Sequence, residues 1–253
     1  MVGESTEIDF LIVTPTYNRE SLLIRFLKQV RAQTYGRWRL LVVHDGANPL
    51  TEELVGRFRM QDPRVEYLHT ETRGNDFGVT PRLEALRHAV QRNPPAYAVF
   101  WDDDDYFVRT ALETIAANLK AASYPAMLLS PNRYRNRIIP PPGISVSDLA
   151  TGQVTTGNIA VRVSLALQAY EHIAIIKEHS SNSLMYVQDY LLFDQIRKQK
   201  PQPSIEVARD AVIGIHDGLR RQVYLRSLLG IPPIGLLNRE RISKLMFWKT
   251  GLR

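Results

Sequence analysis

The chain contains no cysteine. That excludes disulfides, thiolate zinc sites and cysteine nucleophiles, and it fits a reducing compartment such as the cytoplasm. No apolar run approaches the ~18–20 residues needed to cross a bilayer. The opening "MVGESTEID" is polar and acidic, unlike a secretory signal. The loop after the first apolar run, "TPTYN", has no glycine, which argues against the glycine-rich phosphate loop of a dinucleotide-binding domain. Internal repeats are also missing. What is present is ordinary for a soluble globular protein: 253 residues, 44% hydrophobic and 23% charged. That is enough chain for one large α/β domain or two small ones.

Acidic charge is scarce in one place. Residues 197–253 carry twelve Lys and Arg against four Asp and Glu, which leaves the rest of the chain slightly acidic. A neutral body with a basic tail suggests an anionic partner for the tail, whether nucleic acid, an anionic membrane surface or a phosphorylated substrate.

Apolar runs alternate with helical periodicity over the first half. "FLIV" (10–13), "RLLVVHDG" (39–46), "RVEYLHT" (64–70), "AYAVFW" (96–101) and "AMLLS" (126–130) read as strands. The segments "SLLIRFLKQVRAQT", "TPRLEALRHAVQ" and "VRTALETIAANLKAA" read as helices, with Pro81 early in its helix where a missing N–H costs little. This order predicts an α/β fold with a mixed, mostly parallel sheet flanked by helices. After Pro131 the character changes: "NRYRNRIIPPPG" reads as an extended loop. A short strand is expected in "TTGNIAVRVS", a helix in "VQDYLLFDQIRKQ", and one or two strands in "SIEVARDAVIGIH".

The stretch "AYAVFWDDDDYF" (96–107) runs a strand straight into four aspartates. Ligands of open α/β sheets bind beyond the carboxyl ends of the strands, where the strand order reverses. With the common order 3-2-1-4, residues 15–18 and 102–105 line one crevice, with Asp45 close by. Crowded carboxylates there suit a hard divalent cation, Mg²⁺ or Mn²⁺, whose shell is completed by water and substrate phosphates. A solvated acidic turn capping the next helix is the plain alternative.

The stretch "LIVTPTYNRESLLIRFLKQVRAQTYGRWRLLVVHDGAN", with the aspartates after the fourth strand as a D-x-D, resembles the inverting family-two glycosyltransferases of GT-A fold. The resemblance covers roughly residues 8–220. It implies a glycosyltransferase domain over 1–220, with a donor-binding half at about 8–130 and an acceptor-side half at about 131–220. Residues 221–253 would form a basic amphipathic, helical C-terminal tail. It also implies a nucleoside-diphosphate sugar donor, with UDP as the default, and a saccharide or lipid-linked acceptor in surface polysaccharide or glycan assembly. The cofactor would be Mn²⁺ or Mg²⁺. Carried over by residue, Pro15, Tyr17 and Asp45 would hold the base, and Asp102 and Asp103 would face the ribose. Asp104 would ligate the metal, and Asp189 would be the general base. Arg82 would reach a diphosphate oxygen, or else be an exposed helix arginine. His216 would join the metal shell or donate to the diphosphate. The chain departs from the family at His44, where the usual motif is Asp-Asp-Gly, and at Pro81 and Leu83, where it has alanine and asparagine. It departs again at Gln188, which stands where a glutamate is usual.

Other readings stay open on the residues alone. They are a nucleotidyltransferase of similar fold, a nucleotide-sugar-binding relative impaired by His44 and Gln188, and a basic nucleic-acid-binding protein. No recognised nucleic-acid motif accompanies the basic residues, so no nucleic-acid partner is expected. In the tail, Leu245, Met246, Phe247 and Trp248 lie among Arg239, Arg241, Lys244 and Lys249. Such a segment suits a peripheral contact at the inner face of a membrane, or packing on the domain.

Overall fold

The computed structural model describes residues 7–92, 94–134, 137–179, 188–209 and 211–216, with Gln188 and His216 described in backbone only. The predicted tail, Arg135 and the segment leading into Asp189 lie outside these residues.

The first half alternates strand and helix. The elements are β1 (Phe10–Thr16), α1 (Glu20–Arg31), β2 (Trp38–His44), α2 (Pro49–Gln61), β3 (Val65–His69), α3 (Val79–Val90) and β4 (Tyr97–Phe100). There follow β5 (Tyr106–Phe107), α4 (Ala111–Ala121), β6 (Met127–Leu129), β7 (Asn132–Tyr134) and β8 (Arg137–Ile139). The second half adds β9 (Ile159–Arg162), α5 (Val163–His179), α6 (Gln188–Arg197), β10 (Ile205–Val207) and β11 (Gly214–His216).

The main sheet has the order β10-β6-β9-β4-β1-β2-β3. All its pairings are parallel except those of β9, which runs antiparallel to both β4 and β6. The expected 3-2-1-4 order therefore holds among the first four strands. Side chains alternate across the sheet, so each strand feeds two cores. Leu11, Val13, Leu41, Val43, Ala98 and Phe100 face one core with α3, α5 and α6. Phe10, Ile12, Leu40, Val42, Tyr97 and Val99 face the other with α1 and α4. A smaller sheet, β5-β11-β7-β8, stands beside the aspartate turn.

Several elements differ from the sequence expectation. The proline-rich "loop" after Pro131 contains the β7–β8 pairing, Asn132↔Ile139 to Tyr134↔Arg137. Its prolines follow β8 rather than interrupt it, so no ladder N–H is lost. Helices α2 and α5 were not foreseen. Helix α2 buries only Thr51 and Val55 and is started by Asn48, whose side chain accepts from the N–H groups of Leu50 and Thr51.

Candidate active site

The site is built at the point where the chain's connections diverge. β1 leads outward to β2 and β3, while β4 lies on its other side, in register from Phe10↔Tyr97 to Val13↔Phe100. The Trp101 N–H donates to the Val13 carbonyl at 3.1 Å as the last rung. Asp102 to Asp105 then form a turn closed by Asp105 N–H donating to the Asp102 carbonyl, also at 3.1 Å. Trp101 and Phe107, on either side of this turn, stack at 4.0 Å between ring centroids and 12° between planes. A buried aromatic pair thus fixes both ends of an acidic loop.

Arginines supply the counter-charge. The Thr16 hydroxyl donates to Asp103 Oδ2 at 2.6 Å. Arg19 Nη1 donates to Asp103 Oδ1 at 3.0 Å and to Asp104 Oδ2 at 3.3 Å. Arg25 holds the turn by its backbone, donating to the carbonyls of Asp103 and Asp105 at 3.1 and 2.9 Å. Arg82 donates to Asp102 Oδ1 and to the Phe77 carbonyl. The Asp103 side chain is 1% exposed. Burial pushes its carboxyl up to about 7, with Arg19 opposing and the charges of Asp104 and Asp102 adding. Asp103 is therefore part of the wall, bound to β1 and α1. Of the first two aspartates it is Asp102, 24% exposed, that reaches the surface.

Beyond β2, Asp45 accepts from the N–H groups of Gly74 and Asn75 at 2.6 and 2.9 Å. Its carboxylate ties down the loop before α3, with the Thr70 hydroxyl also 3.5 Å from Oδ1. Tyr17 lies under the Arg73 guanidinium, 4.0 Å from its ring centroid, with the His44 ring at 5.5 Å. His44 accepts at Nε2 from the Asn18 N–H at 3.1 Å and has Nδ1 2.7 Å from the Gly46 carbonyl. Those partners assign the tautomer with the proton on Nδ1. The histidine that departs from the family motif thus joins the loop after β1 to the loop after β2. Pro15 packs against Gly78, whose φ is +86°. A Cβ there would stand 2.9 Å from Arg82 Nη1 and 3.0 Å from two Pro15 carbons, so only glycine fits.

Arg82 is 1% exposed, so the exposed-arginine alternative is overturned: its helix face is turned into the core beside Pro15. Burial disfavours its charge, but Asp102, the Tyr170 hydroxyl and Asp189 act on it and hold it firmly protonated. Asp189, in the first turn of α6, also acts on buried Tyr170, whose ionisation burial suppresses. The fold therefore collects Asp102, Arg82, Tyr170 and Asp189 from β4's end, α3, α5 and α6. The backbone of His216 pairs with Tyr134, and its neighbour Ile215 pairs with Tyr106, immediately after the aspartates. Its side chain lies outside the described residues.

Sequence reasoning missed Thr16, Arg19, Arg25 and Tyr170. Arg19 was within reach, since it directly follows "TPTYN" in the loop that the strand order sets against the aspartates.

Among the described residues no three His, Cys, Asp or Glu side chains form a ready metal cage. The donor set still fits Mn²⁺ or Mg²⁺, which need only one or two carboxylates when phosphates complete the shell. One guanidinium nitrogen already lies within hydrogen-bond reach of oxygens from both Asp103 and Asp104, so two carboxylates converge on a single cationic group.

A mixed, mostly parallel sheet flanked by helices, with an acidic turn after β4 beside the end of β1, is the arrangement of the GT-A fold. Residues 11–137 match the family described as Glycosyl transferase family 2; the chain belongs to that family. Glycosyltransferase GlyA of Streptococcus pneumoniae serotype 4 is 29% identical over 124 residues, which is 49% of this chain and 16% of that protein. The chain thus spans only a small part of that curated relative. S. aureus TarS 1-349 superimposes with a TM-score of 0.62 at 18% identity, covering 94% of this chain and 69% of that one. TarS 1-349 has been crystallised with UDP and with UDP-GlcNAc. The mannosyltransferase PcManGT from Pyrobaculum calidifontis, in complex with GDP-Man and Mn²⁺, superimposes with a TM-score of 0.53 at 14% identity. That match covers 95% of this chain and 68% of the other.

Proposed function

We propose that this chain transfers a sugar from a nucleoside-diphosphate sugar, UDP-linked by default, to a saccharide or lipid-linked acceptor, with inversion at the anomeric carbon. The observation that carries the proposal is the aspartate turn seated between the ends of β1 and β4, where ligands of such sheets bind. The family match and the nucleotide-sugar complexes of similar folds support it.

Pro15, Tyr17 and Asp45 bind the base, and Asp102 binds the ribose, held in place by Arg82. Asp103 supports the tip from beneath. Asp104 holds Mn²⁺ or Mg²⁺, with His216 as a candidate further contact. When bound, the ion supplies positive charge to the departing diphosphate. Asp189 takes the proton of the acceptor hydroxyl as its oxygen bonds to the anomeric carbon. The bond to the diphosphate oxygen breaks on the opposite face, and its electron pair leaves with the phosphate. One base suffices because the displacement is a single step. Surface polysaccharide assembly on the cytoplasmic side, with residues 221–253 touching the membrane, completes the proposal. No described helix is long and apolar enough to cross a membrane.

A thermal-shift screen of nucleotide sugars with and without Mn²⁺ tests this, since ligand binding raises apparent stability by mass action. A UDP-sugar is expected to raise the melting temperature only with Mn²⁺, and Asp104→Ala to abolish that rise. Asp189→Ala should keep the rise and lose transfer. Transfer retained in Asp189→Ala, or no response to any donor, refutes the assignment.

A further inference from the structure

The aspartate turn raises a question that its metal chemistry leaves open. Three carboxylates at 102–104 lie at one strand end, and the protein must fold before any nucleotide arrives. Arg82 answers for Asp102. Arg25 hydrogen-bonds to the backbone carbonyls of Asp103 and Asp105 and adds its charge at a distance to the aspartates around it. Arg19 meets the Asp103 and Asp104 side chains directly through the same nitrogen, at 3.0 and 3.3 Å. The two contacts are unequal. Asp103 is sealed in and held on its other oxygen by Thr16. Asp104 is the longer contact and the more exposed carboxylate, and Arg19 itself is 36% exposed at its side chain.

We propose that Arg19 is a resident counter-cation that competes with the divalent ion for Asp104, releasing that carboxylate and keeping Asp103 when the ion binds. This rests on the reading of Asp104 as the metal ligand. The arrangement has a physical rationale. A guanidinium and a divalent ion cannot both sit on one carboxylate edge without repelling each other. A hydrogen bond from the rim of a half-exposed arginine is also the cheaper one to give up. The buried Asp103 contact is costly to break, because it would strand a desolvated carboxylate. Arg19 therefore pivots on Asp103, and metal affinity is set partly by a residue that never touches the metal.

The test measures Mn²⁺ binding directly, from the free-ion electron paramagnetic resonance signal, with and without UDP. It compares wild type, Arg19→Gln, Arg19→Lys and Asp104→Ala. Thermal melts in EDTA run alongside and report whether each variant folds. Arg19→Gln keeps most of the stem and hydrogen-bonding capacity but loses the charge. It is expected to bind Mn²⁺ roughly three- to fivefold more tightly than wild type, the upper scale of a partly screened ion pair. Its EDTA melting temperature at pH 8 should fall, and Mn²⁺ should restore more of it than in wild type. Arg19→Lys, still charged, should stay within about twofold of wild type in affinity. If Asp104→Ala abolishes binding but Arg19→Gln binds Mn²⁺ no better than wild type, the competition is refuted and the metal assignment stands. If neither wild type nor Arg19→Gln binds Mn²⁺, with UDP or without, the metal assignment falls and the inference falls with it.

Discussion

Replacing Asp103 with asparagine should make the metal-free protein more stable above neutral pH. The carboxyl is fully buried, and its folded value is raised from 3.8 to about 7. Between those values the unfolded chain has released a proton that the folded state still holds. Stability therefore falls as pH rises through this window and is flat above it. About three pH units at 1.36 kcal/mol each give a loss of order 4 kcal/mol. Asparagine is close in shape to the protonated acid and cannot ionise. Its carbonyl still accepts from Thr16 or Arg19, so the penalty vanishes with the titration. Urea unfolding in EDTA, run from pH 4.5 to 8.5 on both proteins, measures this as a difference. The difference cancels the opposite slope that the depressed carboxyls of Asp62, Asp76 and Asp194 contribute at lower pH. The two proteins should match near pH 4.5. The variant should gain progressively toward pH 7, by about 3 kcal/mol relative to pH 4.5. Parallel stability curves, or a variant weaker than wild type at pH 8, would refute the argument that burial dominates at this carboxylate.

Two more perturbations follow from the packing around the site. Gly78→Ala forces a Cβ to within 3.0 Å of Pro15 and Arg82 at a φ of +86°. It should cost about 1–3 kcal/mol in chemical denaturation and raise the KM for donor, because Pro15 and Arg82 both shift. Lys177→Met removes the ammonium that donates to buried Asp76 Oδ2 at 2.7 Å. With the lysine partly exposed, an expected loss of about 1–3 kcal/mol at pH 7 should shrink toward pH 3 as Asp76 protonates. A pH-independent loss would locate the effect in packing instead.

The first half of the fold was legible because its strands are buried on both faces and read as continuous apolar runs. The unforeseen elements lack that contrast. Helix α2 is largely polar, with two buried residues. Helix α5, "VSLALQAYEHIAIIKEH", carries Leu165, Leu167 and Ile175 outside its buried stripe of Val163, Ala166, Ala169, Tyr170 and Ile173, so its 3.6-residue period stands out weakly. β7 and β8 are three residues each and rich in arginine, and only their pairing makes them strands. Within the site, the position of the aspartate turn followed from strand order. The direction of each side chain did not, because register decides which of four adjacent carboxylates points inward. Nor were the partners readable: Arg19 and Asp103 are 84 residues apart in the chain. The value of Arg82 likewise depended on which face of α3 meets Pro15.

That buried arginine has a consequence for any attempt to redesign the protein. A single cation bonds to the carboxylate at the end of β4 and is under the electrostatic influence of the one heading α6. Altering either acid changes the charge balance felt by the other. Under the proposed assignment, in which Asp102 meets the nucleotide and Asp189 the acceptor, replacements at the two positions are expected not to combine additively. The two acids share one buried cation and are best varied as a pair.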